Sequence, residues 1–355
     1  MLKVEIIATE ELGDRTYIAH DGALAVVVDP QRDLDRVEAV LRGLQLRVGA
    51  VLETHIHNDY VTGGFELAGR TGAEYVLSAA DEVAFERRPV RHDQELTVGT
   101  MVVRALSTPG HTDTHMSYVV SDAGDPGAVP VVFTGGSLLY GSVGRTDLIS
   151  SARTEELTRA QYHSARSLVA ALPEATAVYP THGFGSFCSA GSTTGADAST
   201  IGTERRGNDA LVEDDEDAFV KRLIAGLTAY PAYYAHMGRL NREGPAGVDL
   251  SPVTRVDPEG LRARIAAGEW VVDLRDRTAY AHQHLHGTIG IALGTQFATF
   301  LGWLMPWGSR LTLLGGSPQE VADAQRQLVR IGVDRPSGAV RTSAELAAGG
   351  PTCAY

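Results

Sequence analysis

Three strand ends in this chain carry histidine, and that pattern constrains its fold more than any other feature. The first is Thr54-His55-Ile56-His57-Asn58-Asp59-Tyr60, directly after the apolar run Val48-Gly49-Ala50-Val51-Leu52. The run reads as a buried strand. Gly63 and Gly64 then allow a tight backbone before Phe65-Glu66-Leu67-Ala68 opens a helix. The second is His111, which ends Ser107-Thr108-Pro109-Gly110-His111 after the strand pattern of 101–106. The third is His182 in Thr181-His182-Gly183, just past Ala177-Val178-Tyr179-Pro180. Imidazole nitrogen and carboxylate oxygen are donors that zinc and non-haem iron accept. His55, His57, Asp59, His111 and His182 are therefore the candidate metal ligands. His92, His115, His163 and His236 lack this setting and read as surface or packing residues. His115, four residues past His111, is also placed to steady a ligand from outside.

Around these ends the chain alternates strands and helices. Residues 2–8, 15–20 and 23–29 read as strands separated by Gly13-Asp14 and Asp21-Gly22 turns. Ala25-Val26-Val27-Val28 is continuously apolar, as in a strand buried on both faces. Residues 33–43 have helical spacing, and 95–106 form a hairpin pattern. A good helix spans 154–172. Residues 185–210, rich in Gly, Ser, Thr and Ala and holding Cys188, read as a long irregular loop, a lid or a linker. The acidic run 213–217 starts a helix, where the helix dipole favours negative charge. Residues 238–252, with several Gly and Pro, read as a domain linker. The expectation is an α/β chain of two domains, 1–240 and 253–355.

Composition narrows the function. The 355-residue chain has 44 acidic and 31 basic side chains and a formal net charge of −13. That argues against nucleic acid or an anionic membrane as partner. Two cysteines make no disulfide framework, which points to a reducing, cytoplasmic setting. The start lacks a basic segment leading into an apolar stretch, so no signal peptide is expected. Nor is there an apolar run long enough to predict a membrane span. A homo-oligomer is left open.

The motifs resemble those of the metallo-β-lactamase fold. His55-x-His57-x-Asp59 is similar to its first metal motif, His111 in Thr-Pro-Gly-His to its third histidine, and His182 to its last. Three further segments look like the persulfide (sulfur) dioxygenase branch, next to glyoxalase II. They are Phe133-Thr134-Gly135, Gly144-Arg145-Thr146-Asp147-Leu148 and Tyr179-Pro180-Thr181-His182-Gly183. Gly185-Ser186-Phe187-Cys188 is similar to a loop of bacterial members fused to rhodanese modules. Residues 253–345, with Val272-Asp273-Leu274-Arg275 and His286-Gly287-Thr288-Ile289-Gly290, look like such a module. The resemblance implies an αββα sandwich followed by a small α/β rhodanese-like domain, and Fe(II) as the one divalent metal.

Three departures matter. Tyr60 stands where the family motif has a histidine. Gly136 stands where family members carry a metal-binding aspartate. No cysteine lies near Gly315, where the rhodanese nucleophile would fall, and sulfur relay needs a thiolate. Without the Gly136 carboxylate two metals are not expected. His55, His57 and His111 remain as a three-histidine set that suits catalytic zinc. Iron oxygenases more typically use two histidines and a carboxylate. Asp59 or Tyr60 would then supply the anionic or catalytic group.

Three functions follow. One is a persulfide dioxygenase that oxidises a small thiol persulfide to sulfite and thiol with O2. There Arg145 would anchor a substrate carboxylate and Cys188 would exchange sulfur. For Arg145 the alternative is an ion pair with Asp147, and for Cys188 an idle thiol. The second is a zinc-dependent thioester hydrolase of glyoxalase II type, with Asp59 as general base. The third is a non-catalytic binding or sensing protein. Gly136→Asp would show whether the native site is impaired or re-tuned.

Overall fold

The computed structural model describes residues 1–191, 195–336, 338–341 and 351–354. Residues 192–194 of the expected lid loop, and 337, 342–350 and 355 of the expected second domain, lie outside the described residues. The chain divides into two compact units. One is Met1–Ala229 with Gly238–Ala246, and the other is Tyr230–Met237 with Gly247–Tyr355.

The first unit is built on two six-stranded sheets. One holds, in spatial order, β1 (Lys3–Thr9), β2 (Asp14–His20), β3 (Leu24–Val28), β4 (Arg47–Leu52), β5 (Glu74–Ser78) and β6 (Arg88–Val90). The other holds β7 (Glu95–Val98), β8 (Met101–Ser107), β9 (Met116–Asp122), β10 (Val131–Gly135), β11 (Ala177–Pro180) and β12 (Ser199–Thr200). Strand alternation sorts the apolar side chains into layers. Tyr17, Ala19, Val26, Val28, Ala50 and Leu52 face Met101, Val103, Tyr118 and Phe133 between the sheets. Ile18, Ala25, Val27 and Val51 turn the other way, onto α1 (Asp35–Gly43) and α2 (Gly64–Thr71). Val132 and Val178 meet α3 (Thr154–Ala170) on the far side. The result is a helix–sheet–sheet–helix sandwich. The both-faces-buried reading of residues 25–28 reflects this layering, at about 1.5–3 kcal/mol per buried large side chain.

Two stretches differ from the sequence reading. The expected irregular loop 185–210 becomes ordered from β12 onward, with α4 (Ile201–Gly207) and α5 (Asp209–Val212). Thr200 caps α4 by accepting the Thr203 N–H, and Ile201 and Glu204 are buried. Glu204 accepts the Gly141 N–H at 2.8 Å, so tertiary contacts overcome a composition poor in helix formers. After α6 (Glu216–Gly226) comes α7 (Tyr234–Glu243), which covers the first part of the expected linker 238–252. Its Asn241 side chain is buried and bonded to the backbone at 57, 60 and 62, which gives this turn of helix a tertiary anchor.

The second unit holds α8 (Pro258–Ala266), β13 (Trp270–Asp273), α9 (Arg277–His282), β14 (His284–Leu285), β15 (Ile289–Gly290), α10 (Phe297–Leu304), β16 (Leu311–Gly315), α11 (Pro318–Arg330), β17 (Gly338–Arg341) and β18 (Thr352–Cys353). Four strands form a parallel sheet in the order β15-β13-β16-β17. No helix among the described residues is long and apolar enough to cross a membrane.

Asp81, just after β5, gives the first unit a pH signature. It is buried and accepts the Thr114 hydroxyl at 2.5 Å. Burial pushes its carboxyl up to about 6. An unfolded chain releases this proton near 3.8. The folded chain therefore binds the extra proton between about pH 4 and 6, and stability falls as pH rises through that window. Asp81→Asn should remove the slope and stabilise the protein at pH 7 by about 1–2 kcal/mol, with little gain at pH 4. Urea melts at the two pH values check this.

Candidate metal centre

Four histidines converge from both sheets. His55 and His57 leave β4, His111 follows β8, and His182 follows β11. All four are buried, and their ring centroids lie 4.1 Å (His55–His57), 4.8 Å (His55–His111) and 5.3 Å (His55–His182 and His111–His182) apart. The loop carrying the first pair is pinned from α7. Asn241 donates to the carbonyls of His57 and Tyr60 and accepts the Thr62 N–H, each at 2.9 Å.

Hydrogen-bond partners fix which nitrogen of each ring faces inward. Thr54 gives its hydroxyl proton to Asp29 at 2.7 Å, so at 2.9 Å it accepts from His55 Nδ1. That leaves the lone pair on His55 Nε2. His111 Nδ1 lies 2.7 Å from the Arg145 carbonyl, an acceptor only, so its lone pair is on Nε2. His57 Nε2 faces Glu53 at 3.2 Å and Asp29 at 3.3 Å, leaving Nδ1 as the inward atom. His182 Nδ1 lies between Asp14 at 2.9 Å and Asp59 at 3.1 Å. An acceptor behind each inward nitrogen is how proteins orient histidine ligands.

Without a cation the rings differ in charge, and His57 and His182 must each shed a proton before they can ligate one. Burial drives His111 down to about 3, with His182 beside it adding to the effect, so His111 is neutral. Burial also opposes charge on His57, but Asp29 and Glu53 lift it to about 9. Burial raises Glu53 to about 7, and burial with the charge of Asp59 raises Asp14 to about 7. Burial works against a charged His182 as well. The carboxylates of Asp59 and Asp14 overcome it and hold its pKa well above the ordinary value. Asp59 stays below the usual carboxylate range despite burial, chiefly because of His182.

The residues fit a cation. His55 Nε2 and His182 Nε2 face each other at 3.3 Å. Two nitrogens held by a tetrahedral zinc at roughly 2.0–2.1 Å sit about 3.3 Å apart. Three buried atoms here, His57 Nδ1, His111 Nε2 and Asp59 Oδ1, have no hydrogen-bond partner among the described residues. Leaving such atoms unsatisfied costs about 1–3 kcal/mol each, a cost that a bound cation relieves for the donors it reaches. Among the described residues, His55–His57–His182 and His111–His182–Cys188 are two of the groupings whose donor atoms lie within 4.8 Å of one another, and His182 links the two.

The other expected site residues fall as follows. Tyr60 is buried with its hydroxyl 3.0 Å from His57 Nε2. The Arg145 guanidinium donates to Asp147 at 2.7 and 2.8 Å and to the carbonyls of Phe187 and Thr228. This is the ion pair that the sequence left as the alternative to a substrate anchor, and the part of Arg145 that reaches the site is its carbonyl. At Gly136 a Cβ would stand 2.2 Å from His111 Cδ2, so a side chain there and this His111 exclude each other. Sequence reasoning missed Asp14, Asp29 and Glu53. It gave His115 only an optional place. His115 stacks on His55 at 4.9 Å and accepts the Gly136 N–H at 3.0 Å. His92 and His163 are exposed beside Asp93 and Glu216, and His236 stacks on Trp307.

The metallo-β-lactamase superfamily model matches residues 13–182, the stretch that holds all four histidines. A hydroxyacylglutathione hydrolase from Cupriavidus metallidurans is 34% identical over 192 residues, covering 51% of this chain and 67% of that protein. The chain belongs to the metallo-β-lactamase superfamily. Another relative, a hydroxyacylglutathione hydrolase from a Synechococcus strain, is also 34% identical, over 164 residues. That match covers 45% of this chain and 62% of the relative, so the chain spans less than two thirds of that protein's length. Among solved structures, a metallo-β-lactamase from Staphylococcus aureus is 26% identical with a TM-score of 0.84. It covers 96% of this chain and 99% of its own, so the likeness runs through both units. ETHE1 from Myxococcus xanthus is 29% identical with a TM-score of 0.57, covering 68% of this chain and 98% of its own.

Proposed function

We propose that this metallo-β-lactamase-superfamily protein is a zinc-dependent hydrolase of small thioesters, of glyoxalase II type. The observation that carries the reading is the set of inward-facing nitrogens His55 Nε2, His57 Nδ1, His111 Nε2 and His182 Nε2, with no carboxylate at position 136. The hydroxyacylglutathione hydrolases among its relatives support it. When bound, the metal would act as a Lewis acid and make a water nucleophilic near neutral pH. Asp59, held ionised, takes the proton of the attacking water at its unpartnered Oδ1. Tyr60 and Glu53 keep the His57 ring in place. A cavity of about 490 Å³ opens beside Asp14 and is walled by Arg15, Tyr140, Phe184 and Asp197. Its size suits a small thiol conjugate. Arg15, stacked 3.6 Å over the Phe184 ring and hydrogen-bonded to Asp197 at 3.0 and 3.3 Å, lines its wall.

The second reading is persulfide oxidation at iron, as the motif resemblance implies. It is favoured by Cys188, whose sulfur lies among the histidine donors. We also propose that the second unit is rhodanese-like and does not relay sulfur. In its β16–α11 loop the Gly316 N–H is bonded to Glu320 at 2.7 Å. Metal analysis of protein purified anaerobically without added metal separates the readings. About one zinc per chain, with release of thiol from a 2-hydroxyacyl thioester, supports the hydrolase. About one iron, with oxygen uptake on a thiol persulfide, supports the oxygenase. No metal after reconstitution would leave the binding protein.

A further inference from the structure

Cys188 lies on the loop that follows His182 and is fully buried. Its sulfur, one nitrogen of His111 and one of His182 lie within 4.8 Å of one another. The loop is fastened so as to keep the thiol there. The Cys188 N–H donates to Ser186 Oγ at 3.2 Å, and its carbonyl accepts the Arg145 N–H at 2.8 Å. The Arg145 guanidinium donates to the Phe187 carbonyl at 3.0 Å, while the Arg145 carbonyl holds His111 Nδ1 at 2.7 Å. Arg145 thus ties the cysteine loop and the His111 ring into one assembly.

A second observation points to a ligand at this place. His111 Nε2 is buried, carries a lone pair and has no partner among the described residues. An anion from position 136 is excluded while His111 sits where it does. A thiolate is among the donors that zinc takes most readily.

We propose that Cys188 is a metal ligand, its thiolate joining His111 and His182 on the cation. The proposal rests on the metal-centre reading above. As the metal–sulfur bond forms, the S–H bond breaks and its proton leaves to solvent, with no change of oxidation state. Arg145 is then a positioning residue for two ligands at once.

Cobalt(II) tests it without reference to activity. The full chain is stripped with a chelator, loaded with Co(II) and read by absorption. Wild type should show a sulfur-to-cobalt charge-transfer band in the near ultraviolet beside visible d–d bands. Cys188→Ser should lose the first, keep the second and bind Co(II) at least about tenfold more weakly. Cys353→Ser should keep both bands. Since the chain has two cysteines, a charge-transfer band that survives Cys353→Ser assigns the sulfur to Cys188 even where Cys188→Ser does not fold. Cobalt bound with d–d bands alone, or a charge-transfer band unchanged in Cys188→Ser, overturns the proposal and leaves the metal centre standing. A chain that takes up no cobalt overturns both.

Discussion

Gly136→Asp is expected to lower activity about 100-fold rather than raise it, because the new side chain displaces His111. The added Cβ would stand 2.2 Å from His111 Cδ2, 2.6 Å from Cγ and 2.8 Å from Nε2. The ring has nowhere to retreat. On its other flank lies Gly144, where a Cβ would stand 2.7 Å from Nδ1, and the Arg145 carbonyl holds that same nitrogen. The strand end cannot back away easily either, since Gly136 donates to His115 at 3.0 Å and accepts the Gly144 N–H at 2.8 Å. Overpacking of this kind also costs about 1–3 kcal/mol of stability. Gly136→Ala should show most of the same loss, which separates crowding from charge. Metal content, thioester turnover and melting temperature are the measurements. A fully metallated Gly136→Asp variant as active as its parent would mean that the His111 position described here is wrong.

Asp29→Asn should have the next largest effect. Asp29 is buried with a left-handed backbone, φ 50°, which aspartate tolerates better than most residues. One oxygen accepts the Thr54 N–H at 2.7 Å, and the other accepts the hydroxyls of Thr54 and Thr181. His57 Nε2 stands 3.3 Å away. An amide NH2 turned to the Thr54 N–H meets a donor, and turned to the hydroxyls of Thr54 and Thr181 it makes them accept instead of donate. Thr54 then loses the acceptor that made it receive His55 Nδ1, and His57 Nε2 loses one of three partners, keeping Glu53 and Tyr60. Metal affinity should fall about 10–100-fold, and stability by about 3–5 kcal/mol as a buried charged partner is removed. Chelator competition and urea denaturation read the two effects separately. Unchanged metal affinity would show that the acceptors behind the rings do not set the ligands.

The histidine positions were legible because a strand followed at once by histidine is a local pattern. The apolar run at 25–28 was equally plain, since a strand covered on both faces has no polar side to show. The carboxylates behind the rings were not legible. Asp14 looked like part of a Gly-Asp turn, yet it meets His182 across 168 residues. Asp29 looked like an ordinary strand end, and Glu53 like its last residue. Nothing local marks a residue whose role is to orient a ring supplied by another sheet. His115 was undervalued for the same reason, because its stacking on His55 depends on how β9 lies against β4. The segment 199–210 was misread because Ser, Thr and Gly signal loop, while the burial of Ile201 and Glu204 decides otherwise. Arg145 was noticed as a conspicuous cation, but its ion pair with Asp147 is where most of its guanidinium goes.

The ligand set spans both sheets, and this has a consequence for biosynthesis. His182 leaves the ribosome 127 residues after His55. At roughly 5–20 residues per second the first pair waits about 6–25 s for its partner. Until β11 adds to the second sheet and Thr181 reaches Asp29, the nascent chain holds His55, His57, His111 and Asp59 but no enclosed cage. Cation choice is therefore open until about half of the 355-residue chain has been made. It will follow the metals abundant at that moment, so the same gene expressed in zinc-rich and iron-rich media should yield differently loaded protein.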